Sequence, residues 1–165
     1  MHKINSKIKI DQNDVNLLIN KTDGYCFYRV ISQFYNQDEI YHICYRKELM
    51  VHINKKNDND KIAYPYIFKK ESLMLEYDEY FNEIKLAGTF AGEYEIINTS
   101  QILNCNLVIY RNPNFNHNLK LYKFEYETII AENYIINPFK PIILIVWVNN
   151  NHYTLIIPKT ENIKK

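Results

Sequence analysis

Glycine is what this chain most lacks: its 165 residues include three, at positions 24, 88 and 92, well under the usual share of about 7%. Glycine alone takes positive φ without cost and lets another backbone come close, so a glycine-poor chain keeps it mainly where nothing else fits. Cysteine is scarce too. Cys26, Cys44 and Cys105 are odd in number and show no C-x-x-C spacing, which argues against a disulfide framework or a zinc ribbon and suits a reducing compartment. An excess of one charge is also missing. Lys+Arg 20 against Asp+Glu 19 leaves a net charge of +1, so no overall field draws in a phosphate backbone or an anionic membrane, and neither is an expected partner. The longest apolar run, Ile142–Val148, has seven residues, which suits a buried strand and not a membrane span. The first fourteen residues alternate charge with isolated Ile and form no signal-peptide core.

What is present is core material. Apolar residues make up 47% and aromatics 15%, with Tyr contributing 15 residues, enough for one compact domain that buries roughly two-thirds of its unfolded surface. The expectation is a single monomeric domain over 1–165, with a core at about 15–158 and a basic tail at 159–165. The wealth of Asn, Ile, Lys and Tyr suits an AT-rich genome, such as that of a virus, a protist or an intracellular bacterium. Cytoplasmic action is expected, in a host cytosol if the source is a virus or an intracellular pathogen.

A turn at Thr22-Asp23-Gly24 opens onto apolar or aromatic residues at 27, 30, 31 and 34. That i, i+3, i+4, i+7 pattern predicts a helix with Cys26 in its first turn. A second helix is predicted from Asp38 to about Asn54, with Ile40, Ile43, Cys44, Met50 and Ile53 facing inward. Residues 54–61 carry no apolar side chain and read as an exposed loop. Helical spacing returns over 71–86 and 93–103, with a break at 87–92 between them. Beyond Asn104 the β-branched and aromatic runs at 106–111, 119–125, 142–148 and 153–157 predict strands. The fold class is therefore α+β, a helical N-terminal half packed on a small C-terminal mixed β-sheet.

A cysteine at a helix N-terminus meets the positive end of the helix dipole and unpaired backbone N–H groups, which favour its thiolate. The N–H groups of Gly24, Tyr25 and Cys26 could converge there on a developing oxyanion, with Asp23 bracing the loop. Asp23-Gly24-Tyr25-Cys26-Phe27-Tyr28-Arg29 resembles the nucleophile motif of ovarian-tumour (OTU) cysteine proteases, Asp-Gly-x-Cys followed by a hydrophobic pair and a basic residue. The run Gly88-Thr89-Phe90-Ala91-Gly92-Glu93-Tyr94-Glu95-Ile96 is similar to that family's loop before its middle helix. Asn151-His152-Tyr153-Thr154-Leu155 resembles its histidine strand. The three blocks stand in the family's order and reach from Asp23 to Ile157.

The resemblance implies a papain-like OTU fold and a thiol-dependent deubiquitinase, cleaving isopeptide or peptide bonds after the C-terminal Gly-Gly of ubiquitin or polyubiquitin. The alternatives are an OTU-type protease for another ubiquitin-like modifier and a non-catalytic ubiquitin-binding module. It implies Cys26 as nucleophile, His152 as general base and Asp23 as a catalytic-site residue. Phe90, Gly92, Glu93 and Tyr153 are candidate walls of a narrow channel for the Gly-Gly tail, and acidic Glu93 and Glu95 would suit the basic residues before it. Three positions depart from the family pattern: Tyr25 stands where Asn is common, Ala91 where a second Gly is common, and Thr154 where Asp or Asn orients the histidine. Thr154, Asn151, Asn149, Asp23 or Asp14 could supply that orientation, with a Cys–His dyad as the working expectation. Cys44 and Cys105 read as structural, Glu93 and Glu95 serve a helix N-terminus whatever else they do, and the histidines lack metal-ligand spacing, so neither a metal nor a cofactor is expected.

Overall fold

The computed structural model describes residues 15–18, 20–70, 73–86, 90–112, 126–130, 135–148 and 152–158. Strand β1 (Val15–Leu18) precedes helix α1 (Cys26–Asn36), a 3-10 turn at Glu39–Tyr41 and helix α2 (His42–Ala63). The hairpin β2 (Tyr66–Lys70) and β3 (Leu73–Glu76) leads into α3 (Tyr77–Ile84) and α4 (Glu93–Leu103). Strands β4 (Asn106–Asn112), β5 (Tyr126–Ile130), β6 (Ile142–Val148) and β7 (His152–Pro158) complete the chain. The main sheet runs β1-β7-β6-β4-β5. Among the described residues only β4 and β6 pair in parallel, so the sheet is mixed, as expected.

Alternation along the strands supplies two cores. Leu107, Ile109, Ile143, Ile145, Tyr153 and Leu155 face the main core with Phe27, Val30 and Ile31 of α1. Val108, Tyr110, Val146 and Ile156 face a smaller cluster on the other side. Because both faces of β6 are covered, its sequence is an unbroken apolar run and does not alternate. With so few glycines, helix ends are closed by other residues: Gln37 (φ 58°) ends α1 and Asn104 (φ 50°) ends α4, both in the left-handed region.

Two of the expected element boundaries are corrected. Residues 54–61 are not a loop; they are the last turns of α2. No glycine or proline interrupts them, Lys56 pairs with Asp60 at 3.3 Å, and buried Asp60 accepts a hydrogen bond from Tyr94 Oη at 2.7 Å. A polar anchor thus docks a face that hydropathy cannot see, and α2 stops where Pro65 disfavours helical geometry at Tyr64. The helix expected over 71–86 begins only at Tyr77, because Leu73–Glu76 pairs with β2. The strand expected at 119–125 lies outside the described residues, while Tyr126–Ile130 forms β5 against β4.

Candidate active site

Cys26 is the first residue of α1 and is 1% exposed. Asp23 organises the turn that delivers it. Asp23 Oδ1 accepts the Tyr25 N–H at 3.0 Å, Asp23 O accepts the Cys26 N–H at 3.2 Å, and the Arg29 guanidinium grips the carboxylate, with Nη2 to Oδ2 at 2.9 Å. Arg29 also reaches Glu39 at 3.0 Å. Burial acts to raise the Asp23 pKa, but Arg29 and the Tyr25 amide outweigh it and hold it below the usual carboxylate value. Asp23 therefore braces the loop.

The converging oxyanion donors take a different form. Tyr25 N–H is turned onto Asp23 Oδ1, and Cys26 N–H is engaged by the Asp23 carbonyl. The N–H groups that favour the Cys26 thiolate come from Tyr153, Phe27 and Cys26 itself. Nor is the thiol acidified. Burial pushes it up to about 11, against those amides, because desolvation of a 1% exposed sulfur exceeds what the helix N-terminus returns.

His152 opens β7, is 8% exposed and sits in register with Val148 of β6. The Tyr153 amide at the thiol puts Cys26 against the strand position next to His152. Thr154 is 1% exposed, and its Oγ1 has no hydrogen-bond partner among the described residues. The hydroxyl therefore does not orient the imidazole. Asn151, Asn149 and Asp14 lie outside the described residues, as does Gly88.

The candidate channel walls divide. Phe90 is 44% exposed, and Gly92 and Glu93 are half-buried. Tyr153 is buried: its ring packs edge-on to Phe27 and stacks with Trp147, and its hydroxyl donates to the Ala91 carbonyl at 3.3 Å. It supports the loop at Ala91 from beneath and is not an open wall. Glu95, also inside, accepts Tyr80 Oη and the Gly92 N–H, both at 2.6 Å. Burial raises its pKa to about 7.

Two neighbours were not legible in the sequence. His42 packs against the Tyr25 ring at 5.1 Å, and burial together with Arg29 lowers its pKa. Asn20 is 6% exposed and touches both α1 and β7. No hydropathy or spacing signal separates it from the many asparagines in turns. Among the described residues, no group of three His, Cys, Asp or Glu could hold a metal, and no helix is long and apolar enough to cross a membrane.

The sequence model of a family described as OTU-like cysteine protease matches residues 21–153. No curated protein matches the chain. Among solved structures, the OTUD1 OTU domain is 20% identical, with a TM-score of 0.66 over 88% of this chain and 87% of its own. The viral OTU domain protease from Farallon virus is 15% identical, with a TM-score of 0.67 over 94% and 91%. An OTU deubiquitinase from Wolbachia pipientis wMel, solved bound to ubiquitin, is 10% identical, with a TM-score of 0.61 over 88% and 97%. These likenesses establish the papain-like OTU fold.

Proposed function

The chain belongs to the family of OTU-like cysteine proteases, and on that premise we propose that it is a deubiquitinase, hydrolysing the bond that follows the C-terminal Gly-Gly of ubiquitin. The observation that carries this reading is Cys26 at the start of α1 with its thiol against the Tyr153 amide, one residue from His152. Support for ubiquitin as the substrate comes from the fold shared with the Wolbachia enzyme, and from half-buried Glu93, three residues along the chain from the exposed Phe90, an acidic group suited to a basic tail.

A thiol raised to about 11 needs a base at neutral pH. His152 takes the proton from Sγ as the sulfur attacks the terminal glycine carbonyl, and the carbonyl π electrons move onto oxygen. The backbone N–H groups that face the thiol are the ones at hand for that oxyanion. As it collapses, the C–N bond breaks, the lysine amine leaves with the proton held by His152, and a thioester remains on Cys26. Water attacks the thioester with His152 again as base, releasing ubiquitin's carboxylate and restoring the thiol. Asp23 and Arg29 act on the loop, not on the reacting atoms. A ubiquitin C-terminal fluorogenic amide should be cleaved by the wild-type chain, and cleavage should fall at least a hundredfold in Cys26→Ala and His152→Ala. Turnover that persists in folded Cys26→Ala would refute the assignment, and turnover of a ubiquitin-like substrate alone would redirect it to that modifier.

A further inference from the structure

Asn20 lies two residues beyond the end of β1, whose last pairing with β7 is Leu18 with Leu155. Its side-chain amide then takes over from the strand. Nδ2 approaches the Tyr153 carbonyl at 3.3 Å, the Cys26 carbonyl at 3.3 Å and Gln33 Oε1 at 3.4 Å. The three acceptors belong to the two elements that carry the chemistry: Cys26 and Gln33 lie on α1, and Tyr153 follows His152 on β7. A short side chain that ends in an NH2 group fits the gap and offers two N–H donors to these three oxygens, one of them shared. A carboxylate would face oxygen atoms, and an apolar side chain would leave them without this donor. The contacts are at the long end of hydrogen-bond range, so the value of the arrangement is geometric.

We infer that Asn20 is a positioning residue for the reaction: its amide holds the first turn of α1 to β7, keeping the Cys26 thiol in line with the strand that begins at His152. The inference rests on the assignment of Cys26 as nucleophile and His152 as base. A shift of about 1 Å between reacting groups costs up to roughly a hundredfold in rate, whereas loss of a fold-stabilising contact alone leaves the rate per folded molecule intact.

The test compares the full chain with Asn20→Ala and Asn20→Asp by thermal unfolding, by kcat and KM on a ubiquitin C-terminal amide, and by the pH dependence of Cys26 alkylation with iodoacetamide, read at that peptide by mass spectrometry. Both folded variants should lose roughly tenfold or more in kcat, with KM within about twofold of wild type. The pH profile of Cys26 alkylation should also shift in Asn20→Asp, whose carboxyl stands against the carbonyl of Cys26 itself. If Asn20→Ala does not fold, the nearly isosteric Asn20→Asp carries the test; failure of both to fold would assign Asn20 a purely structural role and overturn the inference. So would a kcat within twofold of wild type in either folded variant, or an unmoved alkylation profile in Asn20→Asp. Absence of wild-type turnover would instead remove ubiquitin as substrate, while the alkylation series would still report on Asn20.

Discussion

Thr154 fills a place where a side chain that orients His152 is common, yet its hydroxyl is buried and has no partner among the described residues. A buried hydroxyl without a partner keeps its desolvation cost and returns nothing. Thr154→Val should therefore keep kcat/KM within a few-fold of wild type and match or raise the thermal midpoint, as steady-state kinetics and calorimetry would check; a loss of a hundredfold would give Thr154 a role in orienting the base. Asp23 differs, since its carboxylate joins the Tyr25 amide to Arg29. Asp23→Asn should lower kcat more than it lowers stability, because it loosens the turn that presents Cys26; equal activity per folded molecule would contradict this. Cys26, Asp23 and His152 were legible in the sequence because their spacing and order carry a family pattern. Asn20 and His42 were not, because what they touch is set by the pairing of β1 with β7 and by the packing of α2 on the loop.

At the scale of elements, Gly92 shows why one of the rare glycines is retained. Its φ is −104°, so no left-handed strain requires it. A Cβ there would stand 2.5 Å from Tyr80 Oη, the hydroxyl bonded to Glu95. Gly92→Ala should cost about 1–3 kcal/mol, and adding Tyr80→Phe should recover part of the loss, as urea unfolding of the single and double variants would measure; strict additivity of the two would contradict a direct clash. The apolar period correctly marked α1, α4, β4 and β6. It failed at 54–61, where α2 is anchored by the Asp60 carboxylate on Tyr94, and at 73–76, where pairing with β2 wins over helical spacing.

The whole molecule carries a pH dependence that originates beneath the loop at Ala91. Glu95 is 1% exposed, and burial raises its pKa from 4.5 to about 7. The folded state thus keeps a proton that the unfolded chain releases, so the contribution is fully present below pH 4.5 and is lost as pH rises through about 7. The full difference is about 3 kcal/mol. Glu95→Gln removes the titration, and Tyr80 can turn its hydroxyl to accept from the new amide. Relative to wild type, the variant should gain stability between pH 5 and pH 8 in urea unfolding; a difference that stays flat with pH would contradict the burial argument. His42 has a depressed pKa and runs the other way, but it is common to both proteins and cancels in the difference. Tyr153, whose hydroxyl holds that loop at Ala91, also brings its amide to the Cys26 thiol, and there the central claim is most directly tested. Wild-type chain mixed under reducing conditions with ubiquitin bearing a C-terminal electrophile should gain the mass of one ubiquitin, mapped to Cys26 and absent in Cys26→Ala. A folded chain that forms no adduct, or forms it at Cys44 or Cys105, would contradict catalysis by Cys26 on ubiquitin.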